Sequence, residues 1–98
     1  MSQDIRIRDN EKQMRFETAD DAELAYLEYR FYKGNLALMH TLVPESRKGK
    51  GIASALAEYA FRHAAQNKKK VMVYCPFVAA YVKRHPEVKI QLNKEYHP

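Results

Sequence analysis

Cysteine, glycine and tryptophan are scarce in this chain of 98 residues, which holds one cysteine, three glycines, four prolines and no tryptophan. With Cys75 alone, no internal disulfide can form, so stability has to come from packing and the thiol reads as a free one in a reducing compartment. No apolar run approaches the ~18 residues that cross a bilayer, and Met1-Ser2-Gln3-Asp4 begins no signal peptide. A soluble, cytoplasmic protein with no membrane partner is expected. Ninety-eight residues suit one core and leave no room for a second, so residues 1–98 read as a single domain. Repeats, linkers and low-complexity segments are absent, and no His/Cys/Asp/Glu cluster has metal-ligand spacing, so no metal is expected.

What the chain does have is positive charge: 17 Lys and Arg against 12 Asp and Glu, a formal net of +5. Such a balance fits an anionic ligand, a nucleic acid or an acidic partner, and charge alone does not choose among them. The cations are scattered except at Arg47-Lys48-Lys50 and Lys68-Lys69-Lys70. The second run follows a helical pattern, where cations meet the negative end of the helix dipole, and reads as a solvated last turn. No basic stripe interleaved with aromatics marks a nucleic-acid surface.

Hydrophobic spacing predicts strands first, then strands alternating with helices. Ile5 and Ile7 alternate with Arg6 and Arg8, a turn follows at Asp9-Asn10, and Met14 and Phe16 alternate with Arg15 and Glu17, which together read as a hairpin. After a polar turn at residues 18–21, Ala25, Leu27, Tyr29 and Phe31 share one face of a long strand. Gly34-Asn35 signals another hairpin, and Leu36, Leu38, His40 and Leu42 are expected on one face of a fourth strand. From Ile52 the period becomes helical, with Ile52, Ala53, Leu56, Ala57, Ala60 and Ala64 in one apolar stripe that fades near Asn67. Residues 71–74 read as a buried fifth strand, parallel to the fourth because a helical crossover joins them. Pro76 suits the first turn of a second helix reaching about His85, Pro86 stops it, and residues 90–92 read as a weak edge strand. The layout is α+β.

Residues 43–54, Val-Pro-Glu-Ser-Arg-Lys-Gly-Lys-Gly-Ile-Ala-Ser, join the fourth strand to the first helix through a loop rich in glycine and positive charge. Gly49 and Gly51 let the backbone come close to an anion, and the first-turn N–H groups of the helix have no internal partners. A phosphorylated cofactor is the expected ligand. The spacing fits neither a P-loop nor a dinucleotide fingerprint, because Gly49-Lys50-Gly51-Ile52-Ala53 lacks the Gly-Lys-Ser/Thr ending and a third glycine.

The segment from Leu36 to His85 instead resembles motif A and its surroundings in the GNAT acetyltransferase superfamily, whose loop reads Arg/Gln-x-x-Gly-x-Gly/Ala. His40-Thr41-Leu42-Val43-Pro44 before the loop and Cys75 after the next strand are similar to the short, single-domain, acetyl-CoA-binding branch of it. Ser46 stands where many relatives carry Arg or Gln, with Arg47 and Lys48 as neighbouring cations. The resemblance implies a minimal GNAT-like fold with strands four and five splayed around the pantetheine arm of acetyl-CoA. It also implies that Arg47, Lys48, Gly49, Lys50, Gly51, Ile52, Ala53 and Ser54 cradle the pyrophosphate, and that Val43 pairs with pantetheine. The helical segment that larger relatives insert between the first strands is absent, so part of the usual acceptor wall is missing.

The implied activity is acetyl transfer from acetyl-CoA to a primary amine of a protein, a polyamine or another small molecule; the alternative is a non-catalytic module that binds or senses acyl-CoA. Transfer needs a neutral amine, an oxyanion donor and a proton for the leaving thiolate. A lysine amine of pKa ~10.4 is rarely neutral at pH 7, a barrier of roughly 4–5 kcal/mol that a base or a desolvating pocket lowers. In the family the oxyanion donor is usually a main-chain N–H near the end of strand four, here Leu42 or Val43. His40 is the base candidate or else a hydrogen-bonded core histidine. Cys75, ahead of Pro76 at the start of a helix, is an acetyl acceptor, a proton donor or a small buried apolar residue. Tyr81-Val82-Lys83 resembles the family's Tyr-x-Lys, which makes Tyr81 a general-acid candidate or else a core aromatic. Glu28 reads as a cross-strand partner of an arginine and Glu45 as a surface residue of the loop.

Overall fold

The structure is a computed structural model that describes residues 5–20 and 23–94. Met1-Ser2-Gln3-Asp4, Asp21 of the polar turn and His97 lie outside the described residues. Strands β1 (Ile7–Asn10), β2 (Arg15–Thr18), β3 (Tyr26–Tyr32) and β4 (Asn35–Leu42) form an antiparallel meander, and β5 (Val71–Val73) adds parallel to β4, giving the order β1-β2-β3-β4-β5. Helix α1 (Ile52–Gln66) connects β4 to β5, and helix α2 (Pro76–Arg84) follows β5. The mixed α+β layout expected from the periodicity is the one observed.

Alternation explains which faces are covered. Ala25, just ahead of β3, and Leu27 and Tyr29 within it are buried beneath α1, which packs across β2, β3 and β4, while α2 packs against α1. The α1 stripe buries Ile52, Leu56, Ala57, Ala60 and Ala64 as spaced, leaves Ala53 half-buried, and adds Phe61, one residue beyond it, whose ring stacks on Tyr81 of α2 with centroids 6.0 Å apart. Phe16 and Tyr29 stack at 4.5 Å in the centre of this core. Phe31, at the far end of the same β3 face, is half exposed because α1 no longer covers it there.

Three expectations are corrected. The turn expected at Asp9-Asn10 falls at residues 11–14 instead, because β1 runs on through Asn10, which pairs with Arg15, and Met14 belongs to the turn. Leu36, Leu38, His40 and Leu42 do not share a face, because the β3–β4 register runs Tyr29↔Leu38 and then Glu28↔His40, leaving Met39 as an extra residue. This bulge resets the alternation, so Leu36, Leu38 and Thr41 are buried while His40 and Leu42 are exposed. His40 is therefore not a core histidine. The weak edge strand expected at residues 90–92 is mostly a 3-10 turn at Pro86–Gln91, from which only Leu92 reaches a bridge to Val71.

Candidate functional site

The parallel ladder between β4 and β5 is short: Leu36↔Val71, Ala37↔Met72 and Leu38↔Val73. It closes with the Tyr74 N–H donating to the Leu38 carbonyl at 2.9 Å, immediately before the bulge residue Met39. A bulge bends its strand and interrupts pairing, so β4 runs on to Leu42 without a ladder on its β5 side. The Leu36 N–H bonds Lys70 and the Tyr29 N–H bonds Met14, which sets which edge of each strand every residue addresses. Carried through the bulge, this alternation turns the main-chain groups of His40 and Leu42 toward β3 and those of Thr41 and Val43 toward the β5 side. Thr41 and Val43 thus present backbone hydrogen-bonding groups along an open edge, the arrangement that an extended amide-bearing ligand can join as an added strand.

Beyond that edge lies the glycine loop. Gly49 and Gly51 sit in left-handed conformations, at φ 78° and 81°, and a Cβ built on either would meet nothing within 4 Å. Glycine is needed there for the backbone angle, not for space. Gly51 caps α1 with no side chain to bond its first N–H groups, and the first turn carries no acidic residue. The positive end of α1 is therefore uncompensated by its own sequence and open to an anion. Gly49, Lys50, Gly51 and Ser54 line a cleft of about 600 Å³ whose other wall includes Tyr81 and His85 of α2 and its C-cap. Arg84 donates to the Ser54 hydroxyl at 3.2 Å and ties the two helices together at this cleft.

Arg47 faces elsewhere. Its Nη2 meets Asp20 Oδ2 at 2.6 Å and its Nη1 donates to the Glu23 carbonyl at 2.6 Å. Ser46 Oγ donates to Glu23 Oε1 at 2.6 Å. The 3-10 turn Glu45–Arg47 is in this way clamped to the β2–β3 turn. Lys48 pairs with Glu45 at 3.2 Å and, like Lys50, is exposed. Ile52 is buried under the loop, and Ala53 and Ser54 follow it in the first turn of α1.

The remaining candidates fall in three places. Cys75 is the N-cap residue of α2, with Pro76 next, and its Sγ lies 2.9 Å from Thr41 Oγ1, both side chains buried on the α1 side of the sheet. His40 points to the opposite face, where its ring lies 6.5 Å from that of Tyr26. Tyr81 joins the glycine-loop cleft, stacked between Phe61 and the His85 ring, the latter at 4.3 Å. Burial, reinforced by the Glu58 and Glu87 charges, pushes its hydroxyl above the ordinary tyrosine value. Sequence reading singled out neither Thr41 nor His85. The bulge that turns Thr41 inward leaves no mark in an unbroken apolar alternation, and His85 carries no sequence context beyond the end of a helical pattern. Among the described residues, no group of three or more His, Cys, Asp or Glu could hold a metal, and no helix is long and apolar enough to cross a membrane.

Comparison with known proteins agrees with this geometry. Residues 15–91 match the family model of the GCN5-related N-acetyl-transferases. Protein NATD1 of Xenopus tropicalis is 31% identical over 88 residues, covering 87% of this chain and 81% of the relative. The solution structure of a GCN5-like protein from Staphylococcus aureus superposes with a TM-score of 0.69 at 24% identity and 95% coverage of both chains, a likeness of fold. This chain, whose glycine loop feeds a helix beside the open edge of a bulged strand, belongs to the GCN5-related N-acetyltransferase family.

Proposed function

We propose that the chain binds acetyl-CoA along the open edge of β4 and transfers its acetyl group to a primary amine. The observation that carries this reading is the succession of an unpaired β4 edge at Thr41 and Val43, two left-handed glycines, and an uncompensated α1 N-terminus. Pantetheine amides would pair with Val43 and Thr41. The pyrophosphate would rest on the N–H groups of residues 49–54, with Lys48 and Lys50 as counter-charges, each charge-assisted contact contributing about 1.5–3 kcal/mol. Arg47, committed to Asp20 and Glu23, would act by holding the loop in place. Cys75 and Thr41 would stand beside the thioester, and Tyr81 on the cofactor side of α2. His40 would take the proton of an amine arriving from the opposite face.

A heteronuclear NMR titration with coenzyme A tests the site. Amides between Val43 and Ser54 are expected to shift, and, measured against Gly51→Ala, which carries the same strain at φ 81° without the charge, Gly51→Asp is expected to abolish the response. Normal binding by that variant overturns the reading. A second reading, an acyl-CoA-binding module without transfer, is favoured by the separation of His40 and Cys75 onto opposite faces of the sheet. Mass spectrometry after mixing labelled acetyl-CoA with candidate amines decides between the two. Labelled amine supports transfer, and label persisting on Cys75 supports a covalent intermediate. Tight cofactor binding with neither product supports the module.

A further inference from the structure

The face of the sheet opposite α1 carries side chains that lie outside the proposed cofactor path. Register places Arg15, Glu28 and His40 in one row across β2, β3 and β4, and Glu17, Tyr26 and Leu42 in the next. The contacts confirm a shared face: the Arg15 guanidinium lies 4.7 Å above the Tyr26 ring, and the Tyr26 and His40 rings lie 6.5 Å apart. Leu42 is 42% exposed there, and Tyr74, past the end of β5, is 50% exposed.

The two carboxylates of these rows are in different situations. Glu17 is buried and held by Arg8, Asn10 and Arg15. Glu28 has no ion pair or hydrogen bond with its side chain among the described residues, because Arg15, its cross-strand neighbour, donates to Glu17 instead. It stands one strand away from His40, at the bulge where β4 departs from β5. A partnered arginine has been withdrawn from a carboxylate that the reactive end of the cofactor, on the reading above, would approach.

We propose that Glu28 receives the ammonium of the acceptor, and that the acceptor is a primary amine carrying a single positive charge next to an apolar or aromatic body. The inference rests on the transfer reading and names its substrate class. A protonated amine bound to Glu28 has its nitrogen beside the His40 ring, which takes one N–H proton; the lone pair so released attacks the thioester carbon, the carbon–sulfur bond breaks with its electron pair going to sulfur, and the second N–H proton lost as the amide forms ends on that thiolate, giving coenzyme A. Tyr26 and Leu42 flank the position and offer apolar contact to the body of the amine beside the ion pair. One carboxylate without a side-chain partner on this face, among the described residues, matches one ammonium, and in a chain of net +5 a polycation would be repelled by the remainder of the charge.

The test is titration of phenethylammonium into the full chain saturated with coenzyme A, followed by NMR. Amides of residues 26–28 and 40–42 are expected to shift. Glu28→Gln is expected to raise the amine Kd at least tenfold and Glu28→Asp by less, whereas phenethyl alcohol, the neutral counterpart, binds weakly and equally to all three proteins. In steady-state transfer, Glu28→Gln should raise KM for the amine by a similar factor and leave KM for acetyl-CoA unchanged. Shifts confined to other surfaces, a Glu28→Gln Kd within twofold of the native value, or spermidine binding over tenfold more tightly than phenethylammonium each overturn the proposal. Glu28-dependent binding with no acetylated product removes the transferase reading and leaves the ammonium site standing; transfer undiminished in Glu28→Gln does the reverse.

Discussion

Glu17 shows how one buried carboxylate can organise a sheet edge. It is 1% exposed, and accepts hydrogen bonds from Arg8 Nε at 2.8 Å, Arg15 Nε at 2.8 Å and Asn10 Nδ2 at 3.1 Å. Burial raises its pKa, but the bonds from Arg15, Asn10 and Arg8 outweigh burial and hold the carboxyl below its ordinary value. A lowered folded pKa means that the unfolded chain binds the proton more readily. The contribution of Glu17 is thus complete above the unfolded value of about 4.3 and is lost as pH falls through the lower folded one. Glu17→Gln is expected to lower urea-unfolding stability by about 1–3 kcal/mol at pH 7, with the gap to the native protein narrowing below about pH 4. A gap that stays constant from pH 7 to pH 3 would show that the charge contributes nothing. None of this network was read from the sequence, since three partners on two strands converge only once the register is known. Arg47 illustrates a related point: a cation beside two glycines reads as a phosphate ligand, and only the folded chain sets Asp20 and Glu23 against it.

At the scale of elements, most of the fold was legible because its signals are local and periodic. The two-residue alternation of Leu27 and Tyr29, the 3.6-residue spacing of Leu56, Ala60 and Ala64, and Pro76 at a helix start each carry their own explanation. The bulge was illegible, since Leu36, Leu38, His40 and Leu42 spell a regular strand and only pairing with β3 reveals Met39 as surplus. The open edge that this bulge creates is the part of the candidate site on which the rest depends. Deleting Met39 should regularise β4, keep Thr41 inward and His40 outward, and let the ladder with β5 continue past Leu38. Coenzyme A affinity is expected to fall at least tenfold by isothermal titration, while urea-unfolding stability changes by less than about 1 kcal/mol, since no buried side chain is exchanged. Undiminished affinity in the deletion variant would show that the ligand does not depend on the divergence of β4 and β5.

At the scale of the whole molecule, α1 separates the two basic clusters. Lys48 and Lys50 precede its first turn, and Lys68 and Lys70 follow its last. Fifteen helical residues at about 1.5 Å each put roughly 22 Å between them. That exceeds two Debye lengths at 0.15 M ionic strength, where the screening length is about 8 Å, yet is less than the roughly 30 Å reached at 0.01 M. Reversing either pair to glutamate removes the same four units of charge from the formal net of +5, so the two double variants separate local contact from overall attraction. At 0.15 M, Lys48→Glu with Lys50→Glu is expected to weaken coenzyme A at least tenfold, and Lys68→Glu with Lys70→Glu less than threefold. At 0.01 M the second pair should weaken binding more than it does at 0.15 M, because its field then reaches the loop. Isothermal titration of both double variants at the two salt concentrations measures this directly. Equal losses from the two pairs at 0.15 M would mean that the polyanion answers to net charge and not to the cations beside Gly49 and Gly51, and would move the cofactor away from the glycine loop.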